Sequence, residues 1–538
     1  MQLALPVLVA CAPLVVLAAV NLVAVSELHP MGGDFALLEL GARRALEGEA
    51  LLGPYSRFGW HHLGPAMFYW LAPFYALSGS RPGGMALAAV VLNLLWVATI
   101  VGVLGGLRGR AAAWVTAAVV VVLIGGLGLL PVHSPWNPHL VILPVLALGV
   151  LGAVLASGHR WALPLVVVTA SFVAQTHVAA VPVALALLVT SLVIGVARHR
   201  RPAKAWSAPL MAATLVAAVL WTPVLYQEVT ASEGNISDVT SYFLDGGNGD
   251  TEPAGWSGVR DPLAVSLTPL AYGDPLSGGP HPAQPVLAAL LVPALVAALV
   301  IGLRRRYQIE TALAALALAG VGASVLASLA VQEVPYLYLF TSVVGVGALA
   351  WLALGLMVVR LVRERGGAFR YERSSDGVRI THAAVPLALA VLSVMIATDA
   401  TYVGPWNRGG SRDATIADED VRALGAAVAA DPTLFAGRSV LFEYQSDFTT
   451  ATGLVNELDK QGLHVTVLGP SQFVFGDATL PTGDEQISLV LFPGDLATPP
   501  QRPMQLVGRG PDTALYRAEV PRRVIPEPGS RAPGGGQR

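Results

Sequence analysis

Long apolar runs constrain the fold of this 538-residue chain more than any other feature. A membrane-spanning helix needs about 20 consecutive apolar residues, because all its backbone polar groups must be bonded internally. Only 13% of the residues are charged, about half the share of a typical soluble domain. The sequence therefore predicts a polytopic all-α membrane protein. Its apolar runs are 3–26, 84–107, 111–131, 139–157, 161–176, 178–197, 206–226, 284–303, 309–331, 335–362 and 381–402.

Basic residues in alternate connections predict the topology, because Lys and Arg collect on the cytoplasmic side. Counting the short run 161–176 as an eleventh crossing places these connections on one side; omitting it would swap every later connection. Arginine is common and lysine nearly absent, which is typical of a GC-rich bacterial genome. We therefore expect about 11 transmembrane helices in a bacterial cytoplasmic membrane, with the N-terminus cytoplasmic. The basic connections contain Arg108, Arg110, Arg160, Arg198, Arg304 and Arg363.

The chain changes character after residue 403, where charges return and short apolar runs replace the long ones. The pattern predicts helices at 418–430 and 447–462 and strands at 439–444, 464–469 and 487–492. We expect a transmembrane domain at 1–403, a small extracytoplasmic α/β domain at 404–520 with a core of its own, and a disordered tail at 521–538.

Several functional classes find no support in the sequence. The net charge is −2 and no basic domain stands out, so no nucleic-acid partner is expected. The one cysteine, Cys11, cannot form an intramolecular disulfide. The C-terminal region contains no GxGxxG or phosphate-binding loop, so nucleotide binding is not supported.

The first large connection, 27–83, gathers acidic and basic side chains in an otherwise apolar region. Asp34 begins a short helical pattern that ends at Gly48, and Glu39 lies on the same helix. Two interpretations of Asp34 stay open, because Asp is a preferred helix N-cap and a carboxylate at the membrane boundary can also act as a base. A solvent-exposed position is the ordinary interpretation of Glu39.

Arg57, His61 and His62 follow in the segment GPYSRFGWHHLGPAMFYWL. Cationic donors at the level of lipid head groups have phosphate as their natural ligand. We predict that these three residues bind a donor phosphate. The aromatic residues beside them suit the membrane interface, where one ring edge is apolar and the other is wet.

An acidic residue after the first helix, a short helix and the HHLGPAMFYWL motif together resemble the GT-C superfamily of membrane glycosyltransferases. That superfamily includes protein O-mannosyltransferases, aminoarabinose transferases and actinobacterial arabinofuranosyltransferases. The resemblance implies a GT-C-like fold, a polyprenyl-phosphate-linked sugar donor and Asp34 as the catalytic carboxylate. It leaves open a hexosyl or a pentosyl group.

Other polar residues at the predicted outer face are further candidates for the site. Such groups at membrane depth tend to line cavities. A divalent metal stays open, although no HExxH spacing supports one; no other cofactor is expected. The second outer loop, 227–283, is acidic and glycine-rich and is interpreted as a cover over the site. The further candidates are Glu39, Tyr55, His133, Asn137, His139, His177 and Glu333.

The leading hypothesis is an inverting glycosyltransferase on the outer face of the membrane, in contact with lipids. It would transfer a sugar from a polyprenyl-phosphate donor to a cell-envelope glycan, lipid or protein. A lipid-linked saccharide transporter is an alternative, but it should carry charges at mid-membrane. An O-antigen-ligase-like enzyme should have key arginines in a late outer loop, where this chain has Arg260 alone. A non-catalytic scaffold for wall assembly would leave the first-loop cluster unexplained.

Overall fold

The computed structural model describes residues 3–23, 31–198, 206–231, 234–244, 252–271, 281–332, 334–366, 377–402, 412–434, 439–476, 479–493 and 503–521. The first half of the helical region begins with α1 and includes two short helices, α2 and α3, in the first connection. The helices are α1 (Ala4–Val23), α2 (Asp34–Glu47), α3 (Ala66–Leu77), α4 (Pro82–Arg108), α5 (Arg110–Leu127), α6 (Leu130–His133), α7 (Ile142–Ala156), α8 (Ala162–Thr176) and α9 (Val181–Arg198).

The second half contains two short helices in the connection 227–283, in addition to the long ones. The helices are α10 (Ser207–Thr230), α11 (Asn235–Leu244), α12 (Gly255–Leu267), α13 (Gln284–Arg305), α14 (Gln308–Leu329), α15 (Thr341–Gly366) and α16 (Gly377–Tyr402).

Each of the eleven predicted apolar runs contains a helix within the residues that the structure describes. Within the described residues, nine helical segments are long and apolar enough to cross a membrane. The other two runs give shorter apolar helices, α8 with 15 residues and the stretch Pro386–Asp399 of α16. Helix α7 lies at the centre of the bundle. In the apolar segment His139–Ala156, which contains α7, 94% of the residues are buried inside the protein. The predicted multi-pass helical fold is confirmed.

The C-terminal domain combines two helices with a five-stranded sheet. The predicted strands 439–444, 464–469 and 487–492 are confirmed, and the sequence analysis missed the last two strands. Strand order is β2-β1-β3-β5-β4, with β1 parallel to β2 and β3, and β5 antiparallel to β3 and β4. The elements are α17 (Arg412–Ala429), β1 (Ser439–Tyr444), α18 (Phe448–Lys460), β2 (His464–Leu468), β3 (Ile487–Pro493), β4 (Met504–Arg509) and β5 (Thr513–Ala518).

Helix α2 belongs to the first connection but packs into the C-terminal domain. Leu37 and Leu40 share an apolar cluster with Leu454 and Val455 of α18 and with strand residues. The core of this domain is separate from the large apolar cluster of the membrane helices, and α2 adds Leu37 and Leu40 to it. The other side of α2 packs on α3, where Leu38 and Ala42 join a cluster with Phe68 and Tyr75. Helix α2 thus joins the membrane bundle to the sheet domain.

Candidate active site

A cavity of about 930 Å³ lies where α2, the segment 49–63, the start of α9, α11, the end of α14 and the loop 474–476 meet. Helix α2 presents one face to it. Asp34, Leu37, Gly41 and Arg44 line the cavity, and their spacing of three or four residues places them on one side of the helix. Glu39 is turned about 140° from Asp34 around the helix axis and does not line this cavity.

The carboxylate of Asp34 has two hydrogen-bond donors. The Tyr55 hydroxyl donates to Oδ1, and the Trp136 indole N–H donates to Oδ2 at 2.9 Å. Both contacts suit an ionised carboxylate, which only accepts hydrogen bonds. Burial and the charge of Asp34 hold the pKa of Tyr55 well above its usual value, so its hydroxyl keeps the donated proton. These two hydrogen bonds orient the carboxylate. Asp34 is half-buried and lines the cavity.

Asp34 is not a helix cap. It is the first residue of α2, the N-cap position is Gly33, and no side-chain hydrogen bond caps this end. Of the two interpretations left open by the sequence, capping is therefore wrong. The predicted end of the helix is right, since Gly48 adopts the left-handed conformation at its C-cap.

The segment that carries Arg57, His61 and His62 is folded back on itself. The Gly53 N–H donates to the His62 carbonyl at 3.1 Å, and Tyr55 and His61 form an isolated antiparallel bridge. Asn235, the first residue of α11, locks the turn from outside. Its Oδ1 accepts from the His61 N–H and its Nδ2 donates to the His61 carbonyl, each at 2.9 Å.

His61 and His62 both line the cavity. Burial lowers the pKa of His61 to about 4. Burial, followed by the neighbouring His177 and His61, holds the pKa of His62 well below its usual value. The Nδ1 atom of His62 accepts the Val178 N–H at 3.0 Å. These lowered pKa values favour the neutral form of both rings, and a neutral ring can still donate through one N–H.

Two arginines supply the positive charge of the cavity. Arg57 is exposed, and its guanidinium carbon lies 4.6 Å from the ring centroid of Tyr336 and 5.1 Å from that of Phe58. Arg44, which the sequence analysis missed, donates through Nη1 to the Phe475 carbonyl at 2.5 Å. Arg44 stands ten residues after Asp34 on the helix, or about 15 Å away.

Two aromatic residues beside Asp34, Trp136 and Tyr338, were not among the predicted site residues. Trp136 binds the carboxylate, and its ring lies 5.4 Å from that of Tyr338. Tyr338 interacts with both Arg57 and Asp34. The sequence offered one indication, since Trp136 precedes the candidate Asn137 in a polar turn between apolar runs.

The remaining candidates separate into those inside and those outside the cavity. Asn137 and His177 line it. His133 and His139 do not line it; both are near Trp136 in sequence, and the His139 ring packs on it at 5.0 Å. Glu333 lies outside the described residues. Within the part of the chain that the structure describes, no three His, Cys, Asp or Glu side chains are grouped to hold a metal ion.

Glu39 is fully buried rather than exposed to solvent, contrary to its ordinary interpretation. It accepts hydrogen bonds from Tyr75 of α3 and Asn456 of α18, each at 2.8 Å. Its Oε1 also lies 3.0 Å from the Lys460 ammonium. Glu39 therefore joins three helices and has no place in the cavity.

One end of the cavity is apolar. Its walls come from the start of α9, from α11 and from the end of α14, which line it mainly with apolar residues, together with Thr240 and Tyr242 of α11. No charged side chain of these three elements lines it within the described residues. The aliphatic wall includes Val178, Val181, Pro182, Ile236, Val239, Leu326, Ala327 and Ala330.

Comparisons with known proteins identify the fold. No protein-family model matches the chain, and no curated protein matches it. Solved structures of ArnT from Cupriavidus metallidurans do match. The apo structure has a TM-score of 0.54 at 15% identity, over 93% of this chain and 96% of that chain. The structure bound to undecaprenyl phosphate has a TM-score of 0.55 at 16% identity, over 94% of this chain and 97% of that chain. The GT-C fold predicted from the first-loop motif is confirmed.

Proposed function

We propose that this multi-pass membrane protein is an inverting glycosyltransferase that uses a polyprenyl-phosphate-linked sugar. One observation carries the proposal: a single cavity contains an oriented carboxylate, an exposed guanidinium and an aliphatic wall. These three features match the acceptor hydroxyl, the phosphate and the lipid chain that such a reaction brings together. The acceptor would be a cell-envelope glycan, lipid or protein.

Asp34 acts as the general base. Its carboxylate takes the proton of the acceptor hydroxyl while the hydroxyl oxygen attacks the anomeric carbon of the donor sugar. The bond from that carbon to the phosphate oxygen breaks, and the configuration inverts because attack and departure occur on opposite faces. Tyr55 and Trp136 hold the carboxylate in place. Base assistance of this kind contributes about 10²–10⁴-fold to the rate.

Arg57 stabilises the charge that develops on the departing phosphate. A guanidinium can make two parallel hydrogen bonds to phosphate oxygens, which are stronger than neutral ones. Arg57 and Asp34 line the same cavity, and the Arg57 side chain is hydrogen-bonded to Tyr338. The neutral His61 and His62 can each contribute one N–H donor.

The aliphatic wall at α9, α11 and α14 suits the lipid chain of the donor. The structurally similar ArnT was solved with undecaprenyl phosphate bound, and the present chain shares its fold over most of its length. A lipid chain entering between these helices would place its phosphate toward Arg57. This supports a polyprenyl carrier over a nucleotide-activated donor.

The site is proposed to face the outside of the cytoplasmic membrane. Arg108 at the end of α4 pairs with Glu310 at the start of α14 at 3.2 Å, whereas the cavity lies at the other end of α14. The basic end of the bundle, where Arg305 pairs with Glu364, is therefore opposite the site. Positive residues favour the cytoplasm, so the cavity and the C-terminal domain lie outside.

A donor panel tests the proposal. Purified protein in nanodiscs is incubated with undecaprenyl-phosphate-linked hexoses, pentoses and aminopentoses and with an envelope extract, and release of undecaprenyl phosphate is measured. We expect release with at least one donor, dependent on the extract. Parallel reactions with a chelator measure the metal requirement that the sequence leaves open. Binding of undecaprenyl phosphate without transfer from any donor would contradict the enzymatic assignment.

A further inference from the structure

The C-terminal domain holds the backbone directly before Asp34. The Gly33 N–H donates to the Thr452 hydroxyl at 2.8 Å and to the Thr449 carbonyl at 3.0 Å. The Gly32 N–H donates to Asp418 of α17 at 3.0 Å. These are the two peptide groups that lead into the first residue of α2.

The approach of the two segments is so close that only glycine fits. A Cβ atom on Gly32 would lie 2.3 Å from the Thr449 carbonyl oxygen, which is far inside van der Waals contact. Gly33 has a φ of 64°, a conformation that L-residues with a side chain rarely adopt. The backbone at the start of α2 therefore packs directly against α18, at the residue before the candidate base.

A second set of contacts fixes the far face of α2. Glu39 is bonded to Asn456 and Lys460, as described above. Arg43 donates to the Asn456 carbonyl at 3.2 Å and pairs with Asp459. With the Arg44 bond to the Phe475 carbonyl, the contacts run from one end of the helix to the other.

We infer that the C-terminal domain positions the catalytic carboxylate, with Thr452 as the positioning residue nearest to Asp34; this inference rests on the proposed function. Helix α2 contacts α18 through polar side chains and through Leu37 and Leu40. The segment of Arg57 is held by α11 and contacts Asp34 through the Tyr55 hydroxyl, so a displacement of α18 shifts α2 against this contact. A misplacement of about 1 Å can reduce the rate by about 10²-fold.

The hydroxyl of Thr452 allows a precise test. Thr452 is fully buried, and Thr452→Val removes one of the two acceptors of the Gly33 N–H, with little change of volume, while the Thr449 carbonyl remains. Thr452→Ser keeps the hydroxyl. Thr433→Val is the control in the same domain, because the exposed Thr433 hydroxyl bonds Asp431 and Arg517 of that domain.

Three quantities are measured for each variant in nanodiscs: kcat for sugar transfer, affinity for undecaprenyl phosphate and deuterium uptake of peptides covering residues 31–47. For Thr452→Val we expect kcat to fall about tenfold, the equivalent of one hydrogen bond. Lipid affinity should be unchanged and uptake at 31–47 should rise. Thr452→Ser should restore both kcat and protection, and Thr433→Val should change neither.

The outcomes separate this inference from the proposed function. If the wild type transfers no sugar from any donor, the proposed function fails, and deuterium uptake alone decides whether the domain holds α2. If the wild type is active but Thr452→Val keeps full kcat and full protection, the positioning inference is overturned. A fall in kcat that Thr433→Val reproduces would also overturn it, because the loss would then reflect general destabilisation of the domain.

Discussion

Two carboxylates of α2, those of Asp34 and Glu39, stand five residues apart and face different surroundings. Asp34 opens to the cavity, and the partners of its carboxylate are the neutral donors Tyr55 and Trp136. Glu39 is 0% exposed and is paired with the ammonium of Lys460. One helix thus carries a carboxylate available to a substrate and another that is enclosed by protein.

This difference shows how two faces of a single helix can carry a reactive carboxylate and a structural one. A fully buried carboxylate paired with a cation holds two protein elements together, and a substrate hydroxyl cannot reach it. A carboxylate held by neutral donors keeps its charge and has an open side for a proton. The helical turn of about 140° between the two positions is enough to direct one toward the cavity and the other toward α18.

The largest expected effect concerns Asp34. Asp34→Asn should reduce transfer by at least about 10²-fold, because an amide cannot accept the proton. Its oxygen can accept the Trp136 N–H and its NH₂ can donate to the Tyr55 hydroxyl, so the fold and lipid binding should persist. Turnover and thermal unfolding are measured together. Near-wild-type turnover would contradict the assignment of Asp34 as the base. Asp34 would then have only a structural role, as Glu39 does.

Arg57 and Arg43 extend the comparison to cations. Arg57→Ala should weaken undecaprenyl phosphate binding about tenfold to a hundredfold, since a charge-assisted hydrogen bond contributes about 1.5–3 kcal/mol. Lys at this position should recover part of the affinity, because it lacks the planar fork. The matched variant Arg43→Ala, on the far face of α2, should leave lipid affinity unchanged. Equal losses in both variants would contradict the separation of the two faces.

A substitution of Glu39 should lower stability more than turnover, the reverse of what is expected for Asp34. Glu39→Gln keeps the shape but removes the charge that faces Lys460, and we expect a loss of about 1–3 kcal/mol in stability. Lys460 retains Glu457 as a partner at 3.0 Å, which limits the effect. Thermal unfolding and turnover are compared with Asp34→Asn. A Glu39→Gln variant that is stable yet as inactive as Asp34→Asn would show that Glu39 takes part in chemistry.

A smaller effect concerns pH and the neutral His61. The folded pKa of about 4 lies below the ordinary value of 6.5, so between these values the unfolded state binds more protons. The stabilising contribution is therefore complete above about pH 6.5 and decreases as the pH falls toward about 4. Thermal unfolding from pH 7.5 to pH 4.5 should show this decline, and His61→Gln should make it shallower. If His61→Gln leaves the pH dependence of thermal stability unchanged, the His61 ring is exposed to water in the folded protein.

Local patterns predicted much of this molecule, and long-range partners account for most of what they missed. The apolar runs and Asp34 were found because helix length and a polar residue after a crossing are local features. The burial of Glu39 depends on Asn456, which is 417 residues away in sequence. Arg44 had a local signal, since it follows Asp34 at helical spacing. Strands β4 and β5 also had a local signal in the sequence, because short apolar runs flank the turn residues Gly510 and Pro511.

The most direct test of the account is a structure of the protein with undecaprenyl phosphate bound. We expect phosphate oxygens within hydrogen-bond distance of Arg57, about 2.7–3.2 Å, with the lipid chain against Val181, Ile236 and Leu326 and the phosphate next to the open side of Asp34. Density for the phosphate at the basic end of the bundle, near Arg108 and Arg305, would contradict the account. So would a phosphate within the cavity that is bound by Arg44 alone and remote from Asp34.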